Sequence, residues 1–393
     1  MSEVPERWMP IDVGSMTAML PGFAFKSENF VADTNDGLPL IRIRDLGKMT
    51  TAARYVGEYD DAFAVQDSDI LVGMDGEFSA VRWQGGKALL NQRVLKLSSA
   101  RGDVLDDGFL FYRLQPALRQ LEQSITGTTV KHLSTKDLKR LVWHIPPLDE
   151  QRRIAEVLRS VDEAIATQSA MCRHLRQTAD DLADELYARE IADSRGDLIA
   201  YGDACKTVQV GIVIKPASYY VDDGGVPALR STNVRRNEID FSALVQLSNE
   251  GHQINKKSAL RAGDVVTIRT GEPGKTAVIP HDAPSPLNCI DIIFSRPKAA
   301  LRSHFAAYFI NSGTARSQIS AMQGGLAQQH FNVGEMKKLR LPVPDLSRQD
   351  RVVEVLDAAW RAVRIGEVQL ETLRSTKEVM TADLLSGRIR VPA

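Results

Sequence analysis

Ile145-Pro146-Pro147-Leu148-Asp149-Glu150-Gln151-Arg152-Arg153-Ile154-Ala155-Glu156-Val157-Leu158 returns 198 residues later as Val343-Pro344-Asp345-Leu346-Ser347-Arg348-Gln349-Asp350-Arg351-Val352-Val353-Glu354-Val355-Leu356, without a gap. Pro146/Pro344, Leu148/Leu346, Gln151/Gln349, Arg153/Arg351, Glu156/Glu354, Val157/Val355 and Leu158/Leu356 match. The offset persists downstream, where Leu175-Arg176 meets Leu373-Arg374 and Leu186 meets Leu384. A duplication of this length decides architecture before any local feature does.

Each copy carries a seam whose spacing alternates four and three. In the first copy it is Ile154, Leu158, Val161, Ile165, Gln168, Cys172, Leu175, Ala179, Leu182 and Leu186. In the second it is Val352, Leu356, Ala359, Val363, Gly366, Leu370, Leu373, Lys377, Met380 and Leu384. Sustained heptads predict two helices of roughly 38 residues, about 57 Å long. The upstream prolines keep helix out of 145–147 and 342–344. Asp149 and Ser347 are the expected N-caps, with Ser347-x-x-Asp350 as a variant capping box. Ser194-Arg195-Gly196 and Ser386-Gly387 are the expected stops. A narrow apolar seam needs a partner, and the economical partner of each helix is the other copy. An antiparallel pair would carry the two preceding domains at opposite ends. Gln168 and Gly366 occupy equivalent central positions, where a polar or small residue can set register.

The 393 residues hold two ordinary domains plus the helices. No run of 18 apolar residues and no basic, apolar N-terminal leader are present, so cytoplasm is expected. The three cysteines, Cys172, Cys205 and Cys289, are too far apart in sequence for a metal knuckle. The net charge of −1 does not announce a nucleic-acid binder. Charge is uneven, however: Tyr201 to Arg340 carries 17 Lys/Arg against 11 Asp/Glu, and Asp149 to Asp193 carries 6 against 11.

The order along the chain is domain, helix, domain, helix, with expected boundaries 1–147, 148–194, 195–343 and 344–393. In the first domain Pro39–Arg44 and Leu89–Leu97 read as strands, Asp69–Phe78 as a buried strand running into a Gly-punctuated turn, Phe109–Ile125 as a helix and Ser134–Leu141 as a short element. The second domain repeats the outline at lower fidelity. Val226–Val234 answers the Pro39 strand, Gly263–Glu272 the Asp69 strand and turn, and Leu287-Asn288 answers Leu90-Asn91. His330 answers His132 at the shared offset. The fold class expected is α+β: two mixed α/β domains joined by two long antiparallel coiled-coil helices, a pseudo-two-fold internal repeat.

Pro146-Pro147-Leu148-Asp149-Glu150-Gln151-Arg152-Arg153-Ile154-Ala155 resembles the central signature of specificity subunits of Type I restriction–modification systems. So do Gly22-Phe23-Ala24-Phe25-Lys26-Ser27, the Gly-Met-Asp-Gly-Glu-Phe turn at 73–78 and the ending Leu384-Leu385-Ser386-Gly387-Arg388-Ile389. The second domain departs from this pattern: Val210-Gly211-Ile212-Val213-Ile214-Lys215 stands where a Gly-x-Ala-Phe-Lys-Ser start is expected. The resemblance implies two target-recognition domains, each reading one half of a split double-stranded DNA sequence. It also implies helices that dock two modification (methyltransferase) subunits, with restriction subunits completing a host-defence complex. S-adenosylmethionine would then belong to the partner, and no cofactor or metal to this chain.

The residues offer no competing chemistry. Pro146-Pro147 is flanked by Ile145 and Leu148, without the polar residue and the aromatic that an amino-methyltransferase site needs. Thr270-Gly271-Glu272-Pro273-Gly274-Lys275-Thr276 ends like a phosphate loop, but Arg269 replaces the first glycine and Pro273 removes a backbone donor. Base reading requires Arg, Lys, Asn and Gln on rigid turns. The candidates are Arg42, Arg44, Lys48, Asn91, Gln92, Arg93 and Lys131 in the first domain. In the second they are Arg230, Asn233, Arg235, Arg236, Arg269, Lys275, Gln328 and Gln329. His132 and His330 are expected in structural hydrogen bonds or at DNA. The expectation is therefore a DNA-recognition subunit with no catalytic residues. The alternatives are a protein-binding coiled-coil scaffold, a specificity subunit of a related machine with fused activities, and a stand-alone enzyme, for which no site is found.

Overall fold

A computed structural model of the chain describes residues 5–32, 36–124, 131–323 and 330–391. It divides into two compact units, residues 1–167 with 370–393, and residues 168–369. Long helices α4 (Leu148–Asp193) and α10 (Leu346–Ser386) are shared between them. They run to 46 and 41 residues, longer than the seam alone predicts.

In the first unit a four-stranded antiparallel sheet is ordered β2 (Thr17–Pro21), β10 (Val94–Ser99), β7 (Ile70–Gly73), β8 (Ala80–Arg82). A five-stranded mixed sheet is ordered β3 (Phe30–Ala32), β5 (Ala53–Tyr55), β4 (Leu38–Ile41), β9 (Ala88–Leu90), β6 (Ala64–Val65). β4 and β9 are parallel, Ile41 opposite Leu90. A ribbon pairs β1 (Met9–Asp12) with β11 (Val142–Ile145). Short α1 (Val13–Met16) and α3 (Thr135–Lys139) and the longer α2 (Asp107–Ser124) complete the domain. Its core joins Val72, Leu95, Phe109, Leu110 and Trp143 to Ile154 and Leu158 of α4 and Leu384 of α10.

The second unit repeats the same strand orders. Its antiparallel sheet is β13 (Cys205–Val210), β23 (Ile292–Pro297), β20 (Val265–Ile268), β21 (Thr276–Val278). Its mixed sheet is β14 (Tyr220–Val221), β18 (Val245–Leu247), β15 (Val226–Leu229), β22 (Leu287–Cys289), β19 (Ala259–Leu260). β12 (Ile199–Ala200) pairs with β24 (Arg340–Leu341). The helices are α5 (Tyr201–Ala204), α6 (Asn249–Ile254), α7 (Ser303–Asn311), α8 (Gly313–Gln323) and α9 (Val333–Lys338). A hairpin, β16 (Val234–Arg235) with β17 (Glu238–Ile239), is inserted between β15 and β18 and has no counterpart among the described residues of the first unit. Tyr187 of α4 is fully buried in this core, its hydroxyl donating to the Phe305 carbonyl at 2.6 Å, and burial pushes its pKa well up.

The helix segments run antiparallel within each unit. In the first, Asp162 pairs with Lys377 and Glu150 with Arg390; in the second, Arg176 pairs with Glu367 and Glu190 with Arg348. Numbers rise along one helix as they fall along the other. Gln168 Nε2 donates to the Gly366 carbonyl at 3.0 Å, so two positions exactly one repeat apart meet. A Cβ on Gly366 would lie 3.2 Å from Cys172 Sγ, so the α4 side chains pack directly on the Gly366 backbone there. On the seam, Ile154, Leu158, Val352, Leu356, Val363 and Leu384 are buried; Val161, Ile165, Leu175, Leu182, Leu186, Leu370, Leu373 and Met380 are half-buried.

Several local expectations are corrected. Leu89–Leu97 is two strands, β9 and β10, broken by a turn at Asn91–Arg93 where Arg93 takes φ 72°. The strand from Pro39 ends at Ile41, because a 3₁₀ turn spans Ile43–Lys48. Register places Leu287-Asn288 opposite Ala88-Leu89 of the repeat, not Leu90-Asn91, since Cys289 and Leu90 hold the same parallel pairing. Helix α10 is capped by Asp345, whose Oδ1 accepts from the Arg348 N–H at 3.0 Å, and Ser347 lies inside the helix. Asp149 likewise falls within the first turn of α4, where a carboxylate favours the N-terminal dipole. The helix stops fall as expected: Arg195 (φ 52°), Gly196 (83°) and Gly387 (75°) take left-handed backbone beyond the last turns.

Candidate nucleic-acid interface

In the first domain the carboxyl ends of the parallel strands β4 and β9 gather three basic segments around one acidic turn. The 3₁₀ turn after β4 is anchored by Asp45, which is buried and accepts from Arg42 Nε at 2.9 Å and from the Arg42 N–H at 3.1 Å. With Arg42 held half-buried, the turn leaves Arg44 and Lys48 exposed. The turn after β9 is tied to it through the Asn91 N–H, which donates to the Ile41 carbonyl. Gln92 and Arg93 stand exposed there. Arg93 Nη1 reaches both oxygens of Asp75, at 3.2 and 3.0 Å, and His132 Nδ1 lies 2.6 Å from Asp75 Oδ1. Asp75 sits in the Gly73–Phe78 turn, whose Gly76 N–H donates to the Lys131 carbonyl. Lys131 itself lies 3.5 Å from Glu122 and is half-buried.

The second domain assembles the equivalent edge with different residues. The Phe331 N–H donates to the Arg269 carbonyl as the Leu133 N–H donates to that of Met74, so Arg269 stands beside the place Asp75 holds. Arg269 Nη1 pairs at 2.5 Å with Asp291, which precedes β23 at φ 50° as Arg93 precedes β10. The ion pair is thus retained with its signs exchanged. Arg235 is exposed and pairs with Asp240 at 2.6 Å; Lys275 pairs with Glu272. The Thr270–Lys275 segment joins β20 to β21, and the hydroxyl of Thr276 is engaged by Thr267 and the Gly274 carbonyl, so the phosphate-loop likeness ends in an ordinary turn.

Three expected contacts point inward. Asn91 is buried against the sheet. Asn233 is 3% exposed; its Oδ1 accepts from the Arg230 N–H and its Nδ2 donates to the Asp240 and Ala243 carbonyls, closing its own loop. Arg236 is held by Asp180 of α4, and burial pulls its pKa down against that partner. Arg230 is half-buried, and Gln328 and Gln329 lie outside the described residues, beside an exposed His330. The carboxylates Asp45, Asp75, Asp240 and Asp291 orient the basic groups, and the composition of the turns does not distinguish them from other surface acids. For Asp75 the Gly-rich turn was a signal; for the rest, partners are known only from the fold. Among the described residues no helix is long and apolar enough to cross a membrane, and no acidic, His or Cys cluster could hold a metal ion.

Two sheet domains of one topology, each presenting polar turns at the same strand edge and each leading into one of a pair of helices, define a tandem recognition protein. The family model for the Type I restriction modification DNA specificity domain matches twice, over residues 5–170 and 216–373, and the chain belongs to that family. It is a Type I restriction–modification specificity subunit with two target-recognition domains. The EcoBI specificity subunit of Escherichia coli is 25% identical over 418 residues, covering 98% of this chain and 86% of that one. The MjaVIII specificity subunit of Methanocaldococcus jannaschii is 23% identical over 407 residues, covering 99% and 94%. The crystal structure of the Type I S subunit from M. genitalium shares the fold with a TM-score of 0.60 at 16% identity, over 98% of this chain and 97% of that one.

Proposed function

We propose that this chain is the non-catalytic reader of its complex, each domain (1–147 and 195–343) recognising one half of a bipartite DNA target. The observation that carries this reading is the contrast between frame and turns. Strand order is retained in both domains, while the residues at the equivalent edge differ even in the sign of their ion pair. A conserved frame with divergent polar turns suits two readers of unlike sequence. The proposed contacts are Arg42, Arg44, Lys48, Gln92, Arg93 and Lys131 in one domain, and Arg230, Arg235, Arg269, Lys275, Gln328 and Gln329 in the other. Asn91, Asn233 and Arg236 would support those turns from behind.

The helix-bearing regions (148–194 and 344–393) would set the spacing between half-sites and dock two modification subunits. Met171, Val355 and Ile365 in the second unit and Val379 in the first are exposed apolar side chains on these helices, available for packing against another protein. Those subunits would bring S-adenosylmethionine and extrude the target base, and restriction subunits would add cleavage, all in the cytoplasm. The full chain alone should transfer no methyl group to DNA, and transfer should appear when modification subunits are added. Its own DNA affinity should fall steeply with salt, as phosphate contacts require. Methyl transfer by the isolated chain, or salt-independent binding, would contradict the proposal.

A further inference from the structure

We propose that Arg236 is a positioning residue that clasps the inserted β16–β17 hairpin to the helix pair and so sets the geometry with which the second domain reads DNA. The inference rests on the DNA-reading function proposed above. The hairpin has two paired residues per strand, Val234 opposite Ile239 and Arg235 opposite Glu238. A ribbon that short has no stability of its own, so its orientation comes from its neighbours: Val234, buried in the second-domain core, and Ile239 seat its strands, and the tip fixes its tilt against the helices. The tip is Arg236-Asn237, with Asn237 at φ 60°.

Arg236 Nη1 lies 2.5 and 2.7 Å from the two Asp180 oxygens on α4, and Nη2 donates to the Asn311 carbonyl at 2.7 Å. The guanidinium lies 4.9 Å from the centre of the Trp360 ring on α10. Arg236 and Asp180 side chains are each only 19% exposed. Beside them the Asn237 N–H donates to the Thr276 carbonyl at 2.9 Å, and its side-chain oxygen accepts from Asn311 Nδ2 at 2.5 Å. Asn311 also accepts from the Thr276 N–H and donates to the Thr276 carbonyl. Hairpin tip, the end of the Arg269–Lys275 turn, α4 and α10 therefore form one closed circuit. Planar, always charged and able to stack, arginine is the one side chain that satisfies carboxylate, carbonyl and indole together. Its neighbour Arg235 faces solvent, so a tilt of the hairpin would carry Arg235 and the adjoining turn off any base edge they meet.

Two readouts test this on the full chain, using R236Q, D180N and the conservative R236K. Hydrogen exchange should accelerate roughly tenfold or more at the Asn237 and Asp240 amides in R236Q and D180N, with less change in R236K and none in β20. Methylation of a random-sequence plasmid library by the assembled modification complex should then show the half-site read by the second domain relaxed by roughly tenfold at one or more positions, the size of one base-pair discrimination, with the first half-site unchanged. Unchanged exchange in R236Q, or equal relaxation of both half-sites, would overturn the clasp. A wild-type complex yielding no split motif would count against the DNA reading alone, because exchange judges the clasp without DNA.

Discussion

Replacing Gln151 by leucine should destabilise the first unit by at least about 3 kcal/mol, and Gln349→Leu should do the same to the second. Both glutamines are fully buried one turn into their helices. Gln151 Oε1 accepts from the Asp106 N–H at 2.9 Å, and its Nε2 donates to the Val104 and Pro146 carbonyls, each at 2.8 Å. Gln349 repeats the arrangement with the Arg302 N–H and the Ala300 and Pro344 carbonyls, at 2.8, 2.8 and 2.7 Å. Each glutamine bolts the start of its helix to the loop that opens the domain's own helix, α2 or α7. Leucine fills the space but strands three backbone groups without water, at about 1–3 kcal/mol each. Urea unfolding followed by a probe in each unit measures this. A loss below about 1 kcal/mol would show that the shared glutamine is not the joint between helix and domain.

The second large effect is expected from Gly22→Ala and Gly211→Ala, each about 3 kcal/mol and each impairing the half-site read by its own domain. A Cβ on Gly22 would lie 2.0 Å from the Asn91 carbonyl oxygen and 2.5 Å from its carbon. On Gly211 it would meet the Cys289 carbonyl oxygen at 2.4 Å. Both obstacles are main chain in the strand-to-turn passage after β9 or β22 and cannot rotate away. Relief requires moving the turn that bears Gln92 and Arg93, or Asp291. Thermal melting together with DNA affinity checks the pair. Alanine tolerated at both, with affinity retained, would refute the close approach as a determinant of the reading turns.

These two cases also mark how far the residues alone could be read. Gln151/Gln349 and the heptads lie in the well-matched repeat, where side-chain spacing is the structure, so helices, pairing and direction were legible. Gly211 lay in a stretch without the Gly-x-Ala-Phe-Lys-Ser wording, yet Ile212 bridges Ile290 as Phe23 bridges Asn91. The backbone requirement persisted after the side chains had diverged. A two-residue turn whose bend rests on Arg93 taking positive φ leaves the apolar run of Leu89–Leu97 unbroken in sequence, so β9 and β10 read as one strand. The site was legible only as a set of turns. Which cation faces outward depends on carboxylates far along the chain: Asp75 lies 18 residues from Arg93, and Asp180 lies 56 from Arg236. The latter pair exists only because a hairpin was inserted against the helices.

On the proposed reading, two unlike readers share one duplicated frame. Mapping methylated positions in DNA modified by the assembled complex tests it most directly, first with this chain and then with residues 1–147 replaced by the corresponding domain of a relative. Two short half-sites separated by a fixed unread gap are expected, with only one half altered by the replacement. A continuous motif, or a change in both halves, would contradict it.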